Sequence, residues 1–313
     1  MTTAKSSNKY LRAPFPYFGG KSMIADRVWQ LLGDVKMYIE PFFGSGAVLL
    51  KRPPTKHKIS YEVVNDKDGF VCNVWRSIQF SMDETARWAD WPVNHADKAA
   101  RQKYLIKHEQ HLLDNLIADY QWHDPKLAGF WIWLACVWIG PKITLMTKNK
   151  IGGVPDLLNN TGVIGKDRGE IKKWMSALSA RLRKVKVVCG DWKRVCGGNR
   201  QNRYPSCGIF FDPPYATDFR DKELYHCESL TVAKEVEEWA LEKMKHKNIR
   251  MVICGYEDEY KKLLKKGWKV ESWKAGGGYG NQRKKSKNEN RFRERLFISP
   301  SCLQDETLLF KNK

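Results

Sequence analysis

Short apolar runs punctuate this chain at residues 37–40, 59–64, 185–189, 208–211, 251–254, 268–273 and 295–299. Runs of this length, bounded by Gly, Pro, Asn and Asp, predict strands rather than buried helices. Between several of them the spacing becomes helical. Val232, Val236, Trp239, Ala240 and Met244 fall on one face, behind Thr231 as an expected N-cap. Strands alternating with helices predict an α/β fold, a mainly parallel sheet covered on both sides. The last two runs are close enough to pair as a hairpin.

Residues 82–181 break the alternation. A helical stretch is expected over 96–120, followed by the aromatic run Phe130, Trp131, Ile132, Trp133 and Leu134, which reads as core. Periodicity is then lost from 141 to 169, in a segment mixing Gly and Asn with Lys142, Lys148, Lys150, Lys166 and Arg168. A loop this long in a compact domain is functional or solvated. The 313 residues suit one large domain or two intimate ones.

Charge narrows the partners. Lys and Arg number 55 against 35 Asp and Glu, a formal net charge of +20. Such an excess points to a polyanion, and nucleic acid is the expected one. A membrane is the other polyanionic surface, but no run approaches the length of a spanning helix; the longest, 130–139, reads as a buried helix. The polar first ten residues lack an apolar signal core, so a cytoplasmic protein is expected. Eight cysteines are scattered without a CxxC pair, and His108 and His111 lie on a polar helix, so no metal site is expected.

Candidate chemistry gathers at two turns. The run 207–211 leads directly into Asp212, Pro213, Pro214 and Tyr215. An exocyclic amine of adenine or cytosine is a poor nucleophile, because its lone pair is delocalised into the ring. The Asp212 carboxylate and the Pro213 carbonyl are acceptors that could draw such a nitrogen toward tetrahedral geometry. Two prolines remove competing backbone donors, and Tyr215 offers a flat surface for a base. Taken alone, the tetrapeptide reads equally well as an ordinary turn. Upstream, the run 37–40 enters Pro41, Phe42, Phe43, Gly44, Ser45 and Gly46, where glycines allow a backbone to approach a ligand closely. About twenty residues on, Asp66 follows the next run, where doubly wound folds hold ribose hydroxyls.

Taken together, the blocks PYFGGKS (16–22), EPFFGSG (40–46), VVNDKDG (63–69), VVCGDW (187–192) and FFDPPYA (210–216) resemble the amino-group DNA methyltransferases of the DNA adenine methylase type. Their order is that of the α subgroup, with the glycine block first, a target-recognition insert next and the catalytic tetrapeptide late. Segments 273–280 and 293–300 look like bacteriophage and prophage members. The resemblance implies a Rossmann-like methyltransferase sheet of about seven strands, the last antiparallel. It implies a catalytic domain from 1–81 and 182–313, and a mostly helical DNA-binding insert at 82–181. It also implies S-adenosylmethionine as methyl donor, without a metal. Expected cofactor contacts are Tyr17, Lys21, Glu40, Pro41, Phe42, Gly44, Gly46, Asp66, Asp191 and Trp192, with a structural role at the turn left open for Glu40.

The expected reaction is methylation of N6 of adenine in double-stranded DNA, on a base flipped out of the duplex. Asp212 and Pro213 would hold its amino group while Tyr215 stacks on its ring. Lys142, Lys148, Lys150, Lys166 and Arg168 in the insert are expected to touch DNA. A second basic stretch, Arg283, Lys284, Lys285 and Arg291 between the last two runs, suits a phosphate backbone. A monomer is expected, with a dimer on DNA as the alternative. Two rival readings stay open here: N4-cytosine or RNA methylation, and a non-catalytic DNA-binding protein that keeps the fold.

Overall fold

A computed structural model describes residues 11–17, 19–58, 60–138, 162–214, 231–256, 259–273 and 294–303. Seven strands form one sheet: β1 (Met37–Glu40), β2 (Tyr61–Asp66), β3 (Val185–Cys189), β4 (Cys207–Phe211), β5 (Ile249–Tyr256), β6 (Lys269–Ser272) and β7 (Glu294–Ile298). Their order is β3-β2-β1-β4-β5-β7-β6. The first five run parallel, whereas β7 is antiparallel to both β5 and β6. The seven expected strands are therefore present, and β6 and β7 pair as the hairpin. The second strand starts and ends two residues later than its apolar run, so that Asn65 and Asp66 belong to it.

Sequence order reverses direction between β1 and β4. The chain winds outward through β2 and β3 on one side and through β4 and β5 on the other. At such a switch point the loops leaving the two central strands diverge, and their carboxyl ends border a crevice.

Ten helices are described: α1 (Ala25–Leu32), α2 (Ala47–Leu50), α3 (Gly69–Phe80), α4 (Met82–Ala89), α5 (His95–Ala118), α6 (Pro125–Val137), α7 (Arg168–Leu182), α8 (Lys193–Cys196), α9 (Val232–Lys243) and α10 (Lys261–Leu264). Carboxylates and an amide cap four of them. Asp68 accepts from Phe70 N and Val71 N, Asn94 from Asp97 N, Asp124 from Leu127 N and Asp167 from Glu170 N. Thr231 does not cap α9. Its backbone is already helical, at φ −89° and ψ −18°, and its side chain makes no cap bond. The apolar face read for α9 is correct, with Val236 and Ala240 fully buried.

Pleating divides the core in two. Met37 and Ile39 of β1 face one side, against Ile209, Phe211, Val236 and Trp192. Tyr38 faces the other, where the core runs from Trp29 and Trp75 to Trp131 and Trp133. Helices α4 to α7, from the segment that broke the βα alternation, share this second core with α1 and α3. The aromatic run of α6 is thus interior, as its composition predicted. Seven cysteines are described, and all are free and buried.

Edge strand β3 pairs only with β2, and long side chains take its outward carbonyls. Gln79 Nε2 donates to Val185 O (2.9 Å), Arg76 Nε to Val187 O (3.1 Å) and Arg194 Nη1 to Cys189 O (2.7 Å). At the opposite edge, β6 is four residues long and mostly exposed.

Candidate active site

The crevice over the switch point is lined by the carboxyl ends of β1, β2 and β4 and by the loops that follow them. Gly44 lines it, and Gly46, buried behind, completes the same turn. Both are left-handed, at φ +46° and +63°, which favours glycine. A Cβ on Gly44 would lie 2.6 Å from Cε1 of Tyr17, and one on Gly46 would lie 2.6 Å from Cζ of Phe43. Tyr17 thus closes directly over the glycine turn.

Asp66 holds that turn. Its Oδ2 accepts from Gly44 N at 2.8 Å and its Oδ1 from Asp68 N at 3.0 Å. Burial, and then the neighbouring charge of Asp68, push its carboxyl up to about 7. Each oxygen retains acceptor capacity for a hydroxyl, so the residue expected to meet a ribose also organises the backbone beneath it.

Asn65 was not singled out from sequence, yet it ties three strand ends together. Its Nδ2 donates to Pro41 O (3.0 Å) after β1 and to Gly190 O (2.9 Å) after β3. The only hint was a polar residue at the end of an apolar run. Pro41 is buried beside it, and Phe42 packs toward Trp192 and Phe211.

Glu40 is 2 % exposed. Its Oε2 accepts from Tyr38 Oη (2.9 Å) and Leu49 N (3.2 Å), so the structural role left open for it is realised. Burial is the main cause that pushes its carboxyl up to about 8. The two hydrogen bonds oppose this shift, and the nearby charge of Asp212 adds to it.

Lys21 lines the crevice and meets a partner that its own motif did not point to. Its ammonium is 3.0 Å from Asp212 Oδ2 and 3.9 Å from Glu294 Oε2, and it donates to Gly19 O at 2.9 Å. The PYFGGK block and the DPPY turn, nearly two hundred residues apart, thus meet through an ion pair. Pro213 and Pro214 follow Asp212 along the crevice wall. Tyr215 lies outside the described residues.

Asp191 is exposed and accepts from Lys193 N at 2.9 Å, an ordinary strand-end turn. Trp192 lines the crevice but is 2 % exposed, its ring set against Phe42, Phe211 and Trp239. Of the expected DNA contacts, Arg168 opens α7, largely exposed, and its Nε donates to Asp90 Oδ2 at 2.8 Å. Lys166 lies just before that helix and is half-buried. Lys142, Lys148, Lys150, Arg283, Lys284, Lys285 and Arg291 lie outside the described residues.

The crevice is acidic in a basic protein. Its lining carries Glu40, Asp66, Asp68, Asp191, Asp212, Glu235 and Glu294 but only Lys21, Lys67 and Lys193 as cations. Seven carboxylates against three ammonium groups favour a ligand with a positive centre. Among the described residues no group of three or more His, Cys, Asp or Glu could hold a metal ion, and no helix is long and apolar enough to cross a membrane.

Residues 17–125 match the family model of the D12 class N6 adenine-specific DNA methyltransferases. No curated protein matches the chain. The matched stretch contains Tyr17, Lys21, Glu40, the glycine turn and Asp66, while Asp212 and Glu294 come from beyond it and complete the same crevice. The match covers about a third of the chain, and the seven-stranded mixed sheet built around it is the Rossmann-like methyltransferase fold that such a likeness leads one to expect.

Proposed function

We propose that Asp212 and the Pro213 carbonyl are the acceptors that activate N6 of an adenine flipped out of double-stranded DNA, with S-adenosylmethionine held by the glycine turn alongside. The observation that carries this reading is the shared crevice. The glycine cradle on β1, Asp66 on β2 and Asp212 after β4 all open into it.

The residues present suit this cofactor. Gly44 and Gly46 leave room where a Cβ would intrude, Asp66 has acceptor capacity for ribose hydroxyls, and the acidic lining matches a cofactor carrying sulfonium and ammonium charges. When bound, S-adenosylmethionine supplies an electrophilic methyl group. Tyr17 covers the turn, Pro41 and Phe42 wall it, and Asp191 and Trp192 border it after β3.

The chain's own part in the chemistry is positioning. Lys21 fixes Asp212 through Oδ2, leaving Oδ1 directed by that anchor rather than by a free rotor. Oδ1 and the Pro213 carbonyl accept from the two amino hydrogens of adenine, localising the nitrogen lone pair. No strong base is required, because the methylated amino nitrogen is cationic and loses its proton readily. Holding the reacting groups in register accounts for most of the acceleration. Residues 82–181 serve as the target-recognition insert. Lys166 and Arg168 supply backbone contacts there, together with Lys142, Lys148 and Lys150. Arg283, Lys284, Lys285 and Arg291 are further candidates for phosphate contact, on the basis of their charge in sequence.

Asp212→Ala tests this assignment. It should abolish methyl transfer to adenine while cofactor binding persists, measured by tritium transfer to duplex DNA and by calorimetry. Turnover at the wild-type rate would refute the role of Asp212.

A further inference from the structure

The antiparallel strand β7 reverses which of its ends reaches the crevice. Strands β1, β2 and β4 offer their last residues there, but β7 offers its first. Glu294 pairs with Tyr256 at the carboxyl end of β5 and lines the crevice wall. In sequence it is only a charged residue opening the apolar run that follows a basic stretch. In space its carboxylate faces the ion pair that holds Asp212.

Lys21 is 6 % exposed, and a buried ammonium on a flexible four-carbon stem needs several fixed partners to keep one position. Its described surroundings supply four. Gly19 O is at 2.9 Å, Asp212 Oδ2 at 3.0 Å and Glu294 Oε2 at 3.9 Å, and the Trp273 ring centroid is at 5.9 Å. The Glu294 contact is longer than a hydrogen bond, so it acts through charge. Asp212 and Glu294 come from different strands, and both draw on the same ammonium. Removing the Glu294 charge takes away one of the two carboxylates described around Lys21 and unbalances the pull on the ammonium. The ammonium would then be drawn toward Asp212, and the carboxylate that must meet the base would change its orientation.

We propose that Glu294 is a positioning residue for methyl transfer, which holds Lys21 in place and through it sets the orientation of Asp212. This rests on the reading of Asp212 given above. In this role Glu294 acts through Lys21, so its removal should slow the chemical step far more than it weakens binding.

Glu294→Gln keeps the shape and removes the charge, and Glu294→Asp keeps the charge on a shorter stem. Single-turnover methyl transfer at saturating cofactor and DNA should fall roughly 10- to 100-fold in Glu294→Gln, with a smaller loss in Glu294→Asp. Dissociation constants for S-adenosylmethionine and for DNA should rise much less than the transfer rate falls. A merely structural residue would not show a second signature, the ammonium resonance of Lys21 in 15N-lysine-labelled protein, assigned by its loss in Lys21→Arg. It should be protected from exchange in the wild type and should shift or broaden in Glu294→Gln. An unaltered transfer rate, a loss confined to cofactor or DNA affinity, an unmoved Lys21 resonance or an unprotected one in the wild type would each overturn the proposal. The resonance is read without substrate. A wild-type protein that fails to methylate adenine would therefore defeat the functional reading while leaving the Glu294 contact measurable.

Discussion

Glu40 gives the most quantitative expectation. Its carboxyl, ordinarily near 4.5, is pushed up to about 8, chiefly by burial. A raised carboxyl binds its proton more tightly in the folded chain than in the unfolded one. Folding is therefore unpenalised by Glu40 below pH 4.5, and it loses stability steadily as pH rises from 4.5 to 8. At about 1.4 kcal/mol for each pH unit, the loss from this single group approaches about 4–5 kcal/mol by pH 8. Glu40→Gln removes the titration and keeps an acceptor for Tyr38 Oη or Leu49 N. The variant should be close to the wild type in stability near pH 5 and more stable than it by several kcal/mol at pH 8. Urea unfolding of both proteins without cofactor, at one-unit steps from pH 5 to 9, gives the difference directly. Parallel stability curves across that range would refute the claim that Glu40 is a strained buried acid.

Four further outcomes follow from the site. Cofactor binding near pH 7.5 should release protons, since a cationic ligand favours the ionised forms of Glu40 and Asp66, and calorimetry in buffers of different ionisation enthalpy would count them. Gly44→Ala should cost about 1–2 kcal/mol from its left-handed backbone alone, with the Tyr17 clash added, and should weaken cofactor binding more than DNA binding. Asn65→Ala deletes two hydrogen bonds that join strand ends and should lower stability by about 1–3 kcal/mol, seen in thermal melts, while raising the Kd for cofactor. Arg168→Ala should change stability by less than about 1 kcal/mol, because its pair with Asp90 is exposed, so a large fall in DNA affinity would report contact with DNA rather than misfolding.

The strands were legible because each buried run is short, apolar and bounded by turn residues, a pattern local to a few positions. The antiparallel β7 and the glycine turn came through for the same reason, helped by the order of the motifs. What the sequence hid was partnership across distance. Lys21 could be placed in the site but not against Asp212, since nothing near either residue encodes the other. Asp66 was expected to serve a ligand, and its bond to Gly44 N depends on two loops meeting. Asn65 and Glu294 fall inside the blocks 63–69 and 293–300, but neither block assigns them a role; both are polar residues at the ends of apolar strands, where solvent exposure is the ordinary expectation. Thr231 failed as a cap because a favourable residue type does not by itself set the backbone angle that a cap requires.

The blocked edge at β3 bears on how this sheet avoids adding a foreign strand. A sheet edge with open carbonyls is a template for another strand. Here Gln79, Arg76 and Arg194 already occupy the carbonyls of Val185, Val187 and Cys189. Strand addition at that edge would first have to strip away three side-chain donors, one of them a buried guanidinium that also holds the end of α5. Pairing through β3 therefore carries a desolvation and hydrogen-bonding cost that an open sheet edge lacks, and this edge is guarded by side chains rather than by a covering element.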